Sequence, residues 1–208
     1  MAERSWYPRM GDIPGLDYDP PSGLDLTSIP GWDAVPVKES ISEFRGREVV
    51  DLMWGDRRSA TSASPASQFA SSIYDTERSP QDAVADLWKG LELPGTPSDY
   101  HRLIGRAADG LNAIRWKQPN VTAQLEQLCW LDIKLIQAVP GAIINEYADE
   151  GVIDYYSVGS FFYLIEIYLD EGYVQDARAV GELAVTFKQD LTNLQERLAA
   201  LEAEDAAV

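Results

Sequence analysis

Residues 79–114 read SPQDAVADLWKGLELPGTPSDYHRLIGRAADGLNAI, and this stretch decides the fold class. Ser79-Pro80-Gln81-Asp82 places an N-cap, a proline at the first helical position and an acid at the third. Ala83, Val84, Leu87, Trp88 and Leu91 then form an apolar stripe, which Leu93-Pro94-Gly95 stops. Thr96-Pro97-Ser98-Asp99 repeats the start signal. Tyr100, Leu103, Ile104, Ala107, Leu111 and Ile114 follow at spacings of three and four, the pattern of an amphipathic helix. Gly105 and Gly110 lie inside it. Each costs about 1 kcal/mol relative to alanine, which predicts close helix packing there.

The same periodicity continues downstream. Pro119-Asn120 opens a third helix carrying Val121, Leu125, Leu128, Leu131, Leu135 and Ile136. Pro140-Gly141 breaks it, and a short fourth helix is expected from there towards Asp149. A fifth, at 157–171, contains FFYLIEIYL and is apolar almost all round, so it should be the most buried. The sixth is expected over 174–203, with Ala177, Val180, Ala184, Phe187, Leu191, Leu194, Leu198 and Leu201 in heptad register. At 1.5 Å per residue it would be roughly 45 Å long and would project from the domain. Its seam, Leu191, Leu194, Leu198 and Leu201, is the expected oligomer contact. Residues 79–208 therefore read as an acidic all-α domain, an antiparallel bundle or short solenoid of about six helices.

Working outward from that domain, residues 1–78 read as an irregular arm and linker. Residues 1–37 are dense in proline, glycine and aromatics, which disfavours regular structure. Ile13-Pro14-Gly15-Leu16 and Ile29-Pro30-Gly31-Trp32 each suit a type II turn. Residues 38–55 fit either a short helix or, at Val49–Trp54, a strand. Residues 57–78 have the small, polar composition of a linker. The arm nevertheless holds eight of the 21 aromatics, too many for a spacer. An arm of that kind wraps its own domain or grips a partner, and Trp6, Tyr7, Leu16, Tyr18, Trp32 and Trp54 are the expected partner-binding residues.

Phe161, Leu164, Tyr168, Gly172, Ala177 and Ala184 stand at the large, turn and small positions of a tetratricopeptide-type helical hairpin. Residues 158–189 thus resemble one such hairpin, with Ile165, Gly181 and Gln189 departing from the pattern. The resemblance implies a helical-hairpin domain of the kind that serves as an adaptor.

Chemistry-bearing motifs are sparse. The single histidine, His101, has Asp99 nearby, but that acid is better used as a helix-start residue. Cys129 sits among apolar neighbours and reads as a buried, inert thiol. The acids around Gly151 read as a solvated helix end, and Glu166 and Asp170 as the exposed edge of the fifth helix. No phosphate loop, nucleophile elbow or zinc motif is present in the sequence. No catalytic residue, cofactor or metal ligand is therefore assigned.

Net charge is −17, which disfavours nucleic acid and anionic membranes as partners. The charge is concentrated late: residues 118–208 carry 16 acids and 4 bases. One cysteine and no 20-residue apolar run fit a soluble cytoplasmic protein. The expected function is non-catalytic: an interaction or assembly protein that binds another protein or joins a larger assembly. The alternative is an acidic inhibitor or immunity-type protein covering a basic site.

Overall fold

The computed structural model describes residues 5–56, 58–73 and 79–192. After two 3₁₀ turns, Met10–Asp12 and Leu26–Ser28, come two strands, β1 (Lys38–Phe44) and β2 (Arg47–Met53). Six helices follow among the described residues: α1 (Pro65–Ile73), α2 (Pro80–Leu91), α3 (Pro97–Ile114), α4 (Thr122–Ala138), α5 (Gly159–Asp170) and α6 (Val174–Thr186).

The two start signals form as the sequence predicts. Ser79 Oγ accepts from the Asp82 N–H at 3.2 Å. Thr96 and Asp99 cap each other, with Asp99 N–H to Thr96 Oγ1 at 3.2 Å and Thr96 N–H to Asp99 Oδ2 at 2.9 Å. Such reciprocal capping satisfies donors that a helix end leaves open. The helix α3 sits at the centre and packs against α1, α2, α4 and α5. Its buried face is Tyr100, Leu103, Ile104, Ala107, Ala108 and Leu111.

The expectation of an all-α fold is overturned by the hairpin. Strands β1 and β2 pair antiparallel from Lys38↔Met53 to Phe44↔Arg47. Arg45 and Gly46 make the turn, with φ of 52° and 72°. Positive φ at both central residues is the two-residue geometry whose twist matches paired strands. Among the described residues the fold is a helical bundle with one two-stranded sheet.

The arm does not form a separate layer. Tyr7, Met10, Ile13 and Ile29 join the same continuous core as α2 to α6. Tyr7 exchanges backbone hydrogen bonds with Gly95 at 2.8 and 3.0 Å. The Tyr100 hydroxyl donates to Tyr7 O at 3.1 Å and Leu93 O at 2.9 Å. Within the stretch expected to be linker, Ser64 caps α1 by accepting from the Ser67 N–H at 3.0 Å. Ala66 and Ala70 of that helix are buried.

Two helices differ from expectation. The fourth reduces to a 3₁₀ turn at Pro140–Ile143, followed by an isolated antiparallel bridge between Ile144 and Tyr155. The sixth stops at Thr186, where Lys188 adopts φ of 53°. Gln189 then turns inward: its Oε1 accepts from the Val158 N–H at 2.8 Å, and its Nε2 donates to Phe187 O at 2.9 Å. A 30-residue heptad helix is thus excluded through 187–189. Leu191 is buried in this chain's own core against Gly181, so it is not an exposed oligomer seam. Leu194, Leu198 and Leu201 lie outside the described residues.

Candidate functional site

An amphipathic helix at the centre of a bundle should bury both faces, yet the second face of α3 is polar. Ser98, His101, Arg102, Gly105, Arg106 and Asp109 follow one another at helical spacing and border a cavity of about 1030 Å³. Strand β2 forms the opposite wall, from Val50 to Met53. The loop before α5 and the first turn of α5 close a third side through Tyr156, Ser157 and Ser160. Gly105 has no neighbour within 4 Å of where a Cβ would stand, so it leaves the cavity floor open.

Asp132 of α4 organises this floor. It is fully buried, and a buried carboxylate must be paired and hydrogen-bonded. Its two oxygens are both taken. His101 Nδ1 lies 2.7 Å from Oδ1, and Ser160 Oγ donates to Oδ2 at 2.6 Å. One carboxylate therefore joins α3, α4 and α5 beneath the cavity. The contact to Nδ1 fixes the imidazole's orientation. Nε2 has no protein partner among the described residues.

Burial alone would lower the His101 pKa. The Asp132 charge and hydrogen bond outweigh it, and the net direction is upward, against a smaller opposing effect from Arg102. The exposed Arg102 side chain has no ion-pair or hydrogen-bond partner among the described residues. Three acids of the wall are engaged. Asp99 accepts from Ser64 Oγ at 2.8 Å, Asp109 from the Tyr163 hydroxyl at 2.7 Å, and Asp51 from Ser42 Oγ at 2.9 Å. Burial first, then Asp109, pushes the Tyr163 phenol up.

This constellation is not a nucleophilic triad. A triad needs a hydroxyl or thiol on the second imidazole nitrogen, whereas Ser160 donates to the carboxylate. Cys129 is buried, and burial with the nearby Asp132 charge pushes its thiol up. Among the described residues no group of three or more His, Cys, Asp or Glu side chains converges to hold a metal ion.

Most residues expected to bind a partner are used internally. Tyr7 and Trp54 are buried. Trp6 meets Trp54 edge-on, with ring centres 5.4 Å apart. Leu16 packs on the core, and Tyr18 stacks with Trp88 at 6.5 Å. Trp32 remains 43% exposed. Of the six, Trp54 alone borders the large cavity. Glu166 and Asp170 do not simply mark an exposed edge. They hold the buried Arg115 at 3.1 and 3.3 Å and fasten the end of α3 to α5.

Sequence reasoning did not single out Arg102 or Asp132, and it assigned no role to His101 or Ser160. Asp132 did leave a trace: it is a lone acid inside CWLDI, with apolar residues on both sides. No helix among the described residues is long and apolar enough to cross a membrane. No protein-family model, curated protein or solved structure matches the chain.

Proposed function

We propose that this chain is a non-catalytic binding protein and that its binding site is the cleft between the hairpin and α3. The observation that carries this reading is the buried Asp132 carboxylate, which orients the one histidine at the floor of a cavity of about 1030 Å³. That volume matches a small-molecule site, and convergent polar groups on a packed scaffold are what orient a ligand. An oriented imidazole whose Nε2 meets no hydroxyl or thiol among the described residues favours binding over acyl transfer.

Gly105→Leu supplies the test, because it fills open space without entering the core. A panel of polar small molecules is screened against the full chain by thermal shift. Ligands that raise the Tm of the wild type are expected to leave that of Gly105→Leu unmoved. Equal shifts in both proteins, or none in either, would sink the reading.

A second reading keeps the protein–protein role. Phe44 and Tyr147 are both exposed and meet edge-on at 6.1 Å beside the cleft, and Ile41 and Tyr156 are exposed as well. Exposed apolar clusters mark contact surfaces. Phe44→Ser combined with Tyr147→Ser is expected to abolish any partner or self-association that the wild type shows in light scattering. Unchanged association would remove this surface from consideration.

A further inference from the structure

The cleft's uncommitted donors define what it takes. Four acids of the wall already accept intramolecular donors: Asp51, Asp99, Asp109 and Asp132. Glu146 is exposed and has no such donor among the described residues. The donors left uncommitted among the described residues are the Arg102 guanidinium, which no described carboxylate pairs, and Nε2 of His101. His101 and Ser160 bond the two oxygens of one carboxylate, which brings the imidazole beside the first turn of α5. That turn has no side-chain cap, and Gln189 already occupies the Val158 N–H that precedes it. An uncapped helix start presents N–H groups and the positive end of the helix dipole.

We propose that the cleft takes an oxyanion, a carboxylate or a phosphate group, seated between His101 Nε2, the Arg102 guanidinium and the start of α5. The assignment rests on the cleft being the binding site. Guanidinium and imidazolium donors to an oxyanion make charge-assisted hydrogen bonds, which are shorter and stronger than neutral ones. Helix starts bind anions by the same physics. Asp132 is a positioning residue here: it holds the proton on Nδ1 and turns Nε2 to the ligand. Asp51, Asp109 and Glu146 also line the cleft and would repel an anion away from His101 and Arg102, so a compact anionic head with a neutral body is the best fit.

The chain has a single histidine, so its imidazole resonances report on the site directly. Full-length protein without a polyhistidine tag is titrated with acetate, inorganic phosphate and ethylammonium while the His101 signals are followed by NMR. One anion or both should shift them saturably, and the tighter of the two identifies the head group. Arg102→Gln should weaken that binding at least tenfold. Lys134→Gln, on the outer face of α4, should leave it unchanged. Bound anion should also raise the His101 titration midpoint, which a merely structural histidine would not show. Anions that leave the signals unmoved, or that bind Arg102→Gln as well as wild type, overturn the proposal. Movement by ethylammonium alone overturns it too, but leaves the cleft as the site. If the anions fail while other ligands still distinguish wild type from Gly105→Leu, the oxyanion falls and the cleft reading stands. Failure of both experiments removes both.

Discussion

Asp132 shows how much a single side chain can organise. The sequence hides its role because His101 lies 31 positions away and Ser160 lies 28, separations that no local pattern reports. Only the packing of α3, α4 and α5 against one another brings the three together. Removing its charge should be costly, since breaking a buried, hydrogen-bonded pair removes about 3 kcal/mol or more. The pH dependence has a definite sign. His101 has a folded pKa above its ordinary value of about 6.5, so the protonated form is the one the fold favours. The stability this adds is complete below about pH 6.5 and is lost as pH rises through the folded pKa. Urea unfolding of wild type between pH 5.5 and 8.5 should show that decline, and Asp132→Asn should flatten it. A wild-type slope identical to the variant's would contradict the pairing. Glu92 gives a pH dependence of the same sign for a different reason: here the fold favours the neutral form. Burial pushes its carboxyl up, more than the Tyr18 hydroxyl and the Arg9 charge pull it down. The folded state therefore disfavours its ionisation, and Glu92→Gln is expected to stabilise the protein at pH 8 but not at pH 4 in the same unfolding assay.

Among the elements, legibility followed local chemistry. Three helices begin with Ser-Pro or Thr-Pro, at 64–65, 79–80 and 96–97. The second and third read clearly because strong apolar stripes follow them. The first did not, because ASQFASS offers little apolar surface. Helix α1 is held instead by burying two alanines against its neighbours, a tertiary effect that propensity does not carry. The hairpin was ambiguous for a similar reason: seven residues cannot separate a period of 2 from one of 3.6. In the two Pro-Gly turns the expected geometry forms, with Gly15 and Gly31 at φ of 80° and 82°, yet Ile13 and Ile29 carry the burial rather than Leu16 and Trp32. Two glycines give opposite predictions from one substitution. A Cβ at Gly95 would stand 2.7 Å from the Ala66 Cβ, closer than real contacts allow. Gly95→Ala should destabilise by about 1–3 kcal/mol through overpacking. Gly105 faces open space in mid-helix, so Gly105→Ala should stabilise by about 1 kcal/mol. Chemical denaturation of both variants checks the pair, and a stability loss at Gly105 would mean that the cavity floor is not open.

For the whole molecule, the question is whether the first 62 residues are an accessory or part of the fold. Composition suggested a separable arm, because proline and glycine suppress the periodicity that marks packed structure. Its aromatics pointed elsewhere, and the structure uses them inward. Tyr7, Met10, Ile13 and Ile29 bury their side chains in the common core, and Leu52 and Trp54 are also buried. Fully burying one such side chain stabilises a fold by roughly 1.5–3 kcal/mol, and a domain's whole net stability is only about 5–15 kcal/mol. Losing six of them exceeds what the remainder can bear. The same cut strips Tyr7 from Gly95 and removes β2 from the cleft wall. A fragment of residues 63–208 is therefore expected to keep much of its far-UV helical signal while losing near-UV dichroism and a cooperative thermal transition, the signature of a loosely packed state. It should also bind none of the cleft's ligands. A fragment that melts as sharply as the full chain, near the same temperature, would show that the helices form an independent domain and that the arm merely rests upon it.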